Sequence, residues 1–186
     1  MAVGKFPDDD VVQVDHDNVG ACKELVTVLF AKGIQNIAYL GSNMDQMVNR
    51  CRYQGYEEAY RKGKRKLNQD LVYTDLSSRA MVEKAVEELK KSGVECILCQ
   101  DDYICDEVVR KLARMGVRIP DQMKVASCHY SRILENYPVT ITSLKFNITE
   151  LGRRSCQVLL DMIHGKTVPD KTLLDYEIIL KESTKG

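Results

Sequence analysis

The chain has 186 residues, 27 Lys+Arg against 27 Asp+Glu, 44% apolar residues and 29% charged ones. That length fits one globular domain, or one domain with a stub of another, and a formal net charge of zero gives no global attraction for a polyanion. Bare DNA or membrane binding is therefore not expected: the opening MAVGKFPDDD lacks the apolar core of a signal peptide, and no apolar run approaches the roughly 18 residues that a span needs.

In chain order, the hydrophobic period alternates between strand-like runs and helical stripes. A strand is predicted over 11–14, then a helix on Ala21, Leu25, Val28 and Leu29, ended by Gly33. A strand over 37–40 follows, then a stripe of Met44, Val48, Cys51, Gly55 and Ala59, and a strand over 71–73. Met81, Val82, Ala85, Val86 and Leu89 form a further helix that stops at Gly93, before a strand over 94–99. Ile104, Val108 and Leu112 belong to a helix ended by Gly116, followed by strands over 125–128 and 141–144. Leu151, Val158, Leu159 and Met162 mark the last helix, ended by Gly165, and a strand run covers 173–180. Asn18 and Ser77 are the candidate N-caps.

Strand, helix, glycine, strand is the order of βαβ units, so the expected fold is α/β: a three-layer α/β/α sandwich with a mainly parallel sheet. Right-handed crossovers place every strand's carboxyl end on one rim, where ligands bind in such folds. The residues that follow the strands are Gly41-Ser42-Asn43, Thr74-Asp75, Gln100-Asp101-Asp102 and His129-Tyr130. They are small or polar, without a P-loop or a GxGxxG, and suit a neutral polyhydroxylated or amide-bearing ligand better than a phosphate. Solvated loops are polar for that reason alone, so the convergence of four segments, more than any one residue, carries the reading.

Ordered motifs along nearly the whole chain resemble the carboxyl-terminal lobe of the effector-binding domain of LacI/GalR-type transcription regulators. They are Val14-Asp15-His16-Asp17-Asn18 with Gly20-Ala21; Gly33-Ile34 through Ile37-Ala38 to Gly41; Arg52-Tyr53-Gln54-Gly55-Tyr56 with Ala59; Ile97-Leu98-Cys99-Gln100-Asp101; Gly116 through Ile119-Pro120 to Val125; Ile141-Thr142-Ser143-Leu144; Leu151-Gly152; and Glu182-Ser183-Thr184. The resemblance implies one lobe of a periplasmic-binding-protein-like fold, residues 11–186, with residues 1–10 as the remnant of an amino-terminal lobe and crossover. It also implies a ligand clamped between two lobes, a homodimer, and DNA contact only through a helix-turn-helix absent from this chain.

Carried over residue by residue, Arg52 takes the place of the family's ligand-contacting arginine. Gln100 stands where the family has Asn, and His129 replaces a common aspartate, which casts doubt on a familiar hexose site. Asp75 and Asp101 are rim acceptors or caps. The alternative is that Arg52 pairs with Glu57 or Glu58, or merely covers apolar area with its stem.

Other chemistry is thin. Cys96 and Cys99 lie three apart in a strand and face opposite ways, so they cannot chelate one metal ion. His16, His129 and His164 lack ligand spacing, and neither a metal nor a cofactor is implied. The seven cysteines read as free thiols in a reducing cytoplasm. The basic run 61–66 reads as a helix end, and Asn147-Ile148-Thr149 is a sequon by pattern only. No nucleophile, base and oxyanion set is visible, so an enzyme is not expected. The reading is a cytoplasmic, ligand-sensing portion of a DNA-binding regulator for a sugar-like effector, working by population shift. The alternative is a lobe of a solute-binding protein for transport; a nucleotide-binding enzyme is a third class, disfavoured by the missing phosphate loop. The helix over 103–115, with Ile104, Val108, Val109 and nearby Tyr137, is the expected dimer contact.

Overall fold

The computed structural model describes residues 1–8 and 10–185. Its elements are β1 (Ala2–Val3), β2 (Gln13–His16), α1 (Asn18–Ala31), β3 (Ile37–Leu40), α2 (Met47–Lys62), β4 (Val72–Tyr73), α3 (Arg79–Leu89), β5 (Cys96–Cys99), α4 (Asp102–Arg114), β6 (Lys124–Ser127), β7 (Thr142–Phe146), α5 (Ile148–Ile163), β8 (Lys171–Leu174) and β9 (Tyr176–Ile179).

Six strands form one sheet in the order β4-β3-β5-β6-β7-β9, parallel except for the antiparallel β7–β9 pair. Side chains alternate between its faces, and the two cores follow from that period of two. Ala38, Leu40, Ile97 and Cys99 pack against Val82, Val86, Val108 and Leu112 of α3 and α4. Ile37, Tyr39, Cys96 and Leu98 pack against Leu25, Leu29, Tyr56 and Ala59 of α1 and α2. Cys96 and Cys99 thus face opposite layers, as their spacing predicts. Each fully buried aliphatic side chain contributes roughly 1.5–3 kcal/mol, more than any cap, so the two cores fix the sandwich.

Local signals hold with small shifts of register. Gly33, Gly93, Gly116 and Gly165 all have positive φ, the left-handed conformation that ends a helix at least cost. Two N-caps fall one residue from expectation. Asp17, not Asn18, accepts from Gly20 N at 2.8 Å, and Ser78, not Ser77, accepts from Met81 N at 3.4 Å. A cap must reach an N–H two or three residues on, and only those two positions have that reach. Helices α1 and α2 touch so closely at Gly55 that a Cβ there would lie 2.4 Å from Val19 O. The closing Glu182-Ser183-Thr184 is a clamp: Ser183 Oγ donates to Val125 O at 2.6 Å and accepts from Thr142 N at 2.9 Å, binding β6 to β7.

Two strands placed by sequence in the main sheet lie elsewhere. β2 and β8 pair with β1 in a separate, all-parallel sheet of order β1-β2-β8. The run over 173–180 is two strands, β8 and β9, with the chain passing from one sheet to the other at Asp175. Hydrophobic pattern marks a strand but carries no information about its partner.

Three residues of the expected dimer contact on α4 are also corrected, while Tyr103 on the same helix is 71% exposed. Ile104, Val108 and Val109 are buried in the chain's own core, and Tyr137 packs against that core with its hydroxyl bonded to Asp106. The stripe that looked available for a partner is the stripe that covers the sheet.

Candidate ligand-binding cleft

The carboxyl ends of β3, β5, β6 and β7 lie on one side of the six-stranded sheet, next to the ends of β2 and β8 in the smaller one. Between them opens a cleft of about 830 Å³ whose lining includes His129, Tyr130, Phe146, Asn147, Leu174 and Tyr176. Its centre is Phe146, the last residue of β7. The His129 ring stacks on it, 6.4 Å between centroids and 17° between planes. The His16 ring, from the end of β2, lies 5.0 Å away at 51°. The Arg52 guanidinium carbon sits 6.0 Å from the Phe146 centroid.

Arg52 projects from the second turn of α2 and is only 8% exposed. Its Nη1 donates to the Gln100 carbonyl at 3.0 Å, and its Nε is buried with no acceptor. Neither Glu57 nor Glu58 holds it: Glu58 pairs with Lys23 at 3.3 Å and Arg61 at 3.8 Å. Among the described residues no carboxylate lies within salt-bridge distance of Arg52.

Gln100 is fully buried, and its amide is committed to the fold. Oε1 accepts from Ser42 N at 3.0 Å and Nε2 donates to Ser42 Oγ at 3.1 Å. This closeness requires Gly41, where a Cβ would lie 2.5 Å from Gln100 Oε1. Gln100 therefore ties the loop after β3 to β5 and presents its carbonyl to Arg52. Asp101 caps α4, its Oδ1 accepting from Ile104 N at 2.9 Å. Asp75 stands at the far edge beyond β4, exposed, with φ of 62° and its Oδ1 3.4 Å from Met44 N. Of the five residues picked from sequence, His129 lines the cleft, Arg52 and Gln100 stand behind it, Asp101 holds a helix end, and Asp75 does not reach it.

His129 Nδ1 lies 3.1 Å from Asp102 Oδ1. Burial acts to raise the Asp102 carboxyl, but hydrogen bonds from Ser131 and His129 outweigh it and hold it below the ordinary aspartate value. Burial lowers the His16 imidazole, against smaller upward pulls from the Asn147 backbone and Asp15, so His16 favours the neutral form. Beneath the rim the Cys22 and Cys128 sulfurs lie 3.6 Å apart, and burial pushes the Cys22 thiol well up, away from the reactive thiolate. Among the described residues no cluster of metal-ligating side chains occurs.

Phe146 and His16 were not picked out as site residues, and Asp102 stood on the predicted rim without a role of its own. Phe146 follows 141–144 by only two residues, so a strand drawn slightly longer would have put it on the rim. Nothing in the sequence pairs His16 with a residue 130 positions on.

Clefts at the carboxyl ends of parallel strands are where α/β folds take small molecules, and this one gathers a phenylalanine and a histidine–carboxylate pair, with a buried guanidinium behind them. The chain belongs to the periplasmic binding protein-like domain family, whose model matches residues 26–184, and its likeness is to the LacI-type regulators of that family. It is 27% identical to the HTH-type transcriptional regulator CelR of Thermobifida fusca, over 95% of this chain and 53% of that one. Among solved structures, a CelR–cellobiose complex superposes with TM-score 0.85 at 25% identity, over 97% of this chain and 57% of that one. A LacI-family regulatory protein from Chloroflexus aggregans gives 0.88 at 20% identity, over 97% and 67%. The chain spans about half the length of the curated relatives it matches. Those relatives are transcription regulators, not enzymes. Among the described residues no helix is long and apolar enough to cross a membrane.

Proposed function

We propose that this chain is the effector-sensing part of a LacI/GalR-type regulator, acting in the cytoplasm without catalysis, and that a hydroxylated, sugar-like small molecule bound against Phe146, His129 and Arg52 shifts the balance between open and closed states. The observation that carries it is the pairing of His129, from the loop after β6, with Phe146 of β7 in one open cleft, with the Arg52 guanidinium of α2 behind the ring at 6.0 Å from its centroid. An aromatic face takes the C–H face of a sugar ring, while the flanking polar groups take its hydroxyls. The solved CelR relative is a complex with cellobiose.

We further propose that β1, β2, α5 and β8 form the border of a second lobe, with the six-stranded sandwich as the first. The exposed apolar side chains of that border, among them Val3, Ile148, Leu160, Ile163 and Leu173, support this division. DNA contact and homodimer pairing belong, in this reading, to the regulator as a whole and in part to segments outside this chain.

NMR of the chain titrated with cellobiose, glucose and gluconate tests the site. Saturable shifts are expected at His129, Tyr130 and Phe146, with Thr74 and Asp75 unmoved. Shifts confined to other surfaces would overturn the assignment.

A further inference from the structure

Arg52 is a charge set into the protein without a counter-charge. It is 8% exposed, its one hydrogen bond among the described residues uses Nη1, and Nε has no acceptor. Among the described residues no carboxylate lies within salt-bridge distance of it, and the acids of the neighbouring loops hold other partners. Asp101 holds Ile104 N, Asp102 holds His129, Asp17 holds Gly20 N, and Asp15 accepts from His16 N at 2.8 Å. A guanidinium removed from water and left unpaired is costly, and its planar edge of Nε and Nη2 fits two carboxylate oxygens side by side. The residue after Cys128 is a histidine that takes the Asp102 carboxylate for itself, at 3.1 Å.

Resting on the cleft assignment above, we infer that the effector of this chain carries a carboxylate, as a sugar acid does, and that this group supplies the counter-charge for Arg52 while the ligand's remaining carbon face lies on Phe146. Because Nε is out of solvent contact, binding turns the guanidinium or the Phe146 ring aside to open that edge. Neutral sugars give Arg52 only hydroxyl oxygens and leave the charge unbalanced, so they bind more weakly than their acids.

The test is a matched-pair titration of the chain with gluconate against glucose and with glucuronate against methyl glucoside, followed by the Arg52 Nε–H signal in NMR. At least one acid is expected to shift that signal saturably and to bind at least about tenfold more tightly than its neutral counterpart. The preference should vanish in Arg52→Gln, and Arg52→Lys should keep part of it through charge alone. Equal or tighter binding of the neutral sugars at the same cleft would overturn the inference and leave the cleft assignment standing. Silence of the Arg52 signal with both acids overturns it as well, and if no compound moves His129, Tyr130 or Phe146 either, the cleft assignment falls with it.

Discussion

The layer of α3 and α4 and the layer of α5 are built from similar amphipathic helices and end in opposite conditions. On α4 the apolar residues Ile104, Cys105, Val108, Val109 and Leu112 are all buried against the six-stranded sheet. On α5 only Ser155 and Val158 are buried, while Leu160 and Ile163 are 51% and 68% exposed. The sheet beneath α5 has just three strands, and its β8 exposes Leu173. An amphipathic stripe announces that a helix has a face to bury, but says nothing about whether the chain at hand supplies the cover. The α3/α4 layer closes its apolar face within the chain, and the α5 layer leaves its own open.

The sharpest way to break that comparison is one substitution made in both layers. Val108→Asp places a carboxylate in a fully closed core and should cost about 4 kcal/mol or more, enough to abolish the cooperative melt. Leu160→Asp should change stability by no more than about 0.5 kcal/mol. Circular dichroism melting of both proteins decides it, and a comparable loss in the two would mean that α5 is packed after all.

A second change probes the other complete layer, between α1 and α2. Gly55→Ala sets a Cβ against the Val19 carbonyl and the Cys22 side chain, and the helices must part to take it. The expected loss is roughly 1–3 kcal/mol in a urea titration, whereas Gly152→Ala on α5, with nothing within 4 Å, should be neutral or slightly stabilising.

Arg52→Met is expected to go the other way, raising stability by about 1 kcal/mol through removal of an unpaired buried charge at an isosteric stem. Thermal melting without ligand measures it. A fall in the melting temperature would show that Arg52 serves the fold through the Gln100 carbonyl instead of being held ready for a ligand.

The smallest effect concerns the junction of the two sheets, where His16 meets Phe146. Burial lowers the His16 imidazole in the folded chain, so the unfolded chain takes up its proton first. The contribution is whole above the unfolded value of about 6.5 and is lost as pH falls from there through the lower folded value. His16→Phe should flatten that part of the stability profile between neutral and mildly acid pH, while His164→Phe, at the exposed end of α5, should leave it unchanged.

The elements themselves were legible in the sequence because their causes are local. A period of two or of about 3.6, a glycine where φ turns positive, and polar residues after each strand need no partner to be recognised. The opposite facing of Cys96 and Cys99 and the glycine stops at residues 33, 93, 116 and 165 follow from backbone geometry alone, and the structure has them. The decisions left to tertiary structure are those in which two distant segments compete for one group. Gln100 and Asp101 have the chemistry of ligand contacts, yet Ser42 and the first turn of α4 engage them first. β2 and β8 read like any other strand, and only the assembled sheets assign them to the smaller one. Phe146 becomes the centre of the cleft because β2, α2 and the loop after β6 bring His16, Arg52 and His129 to it, and a hydrophobic pattern records which face a residue turns inward, not what it meets there.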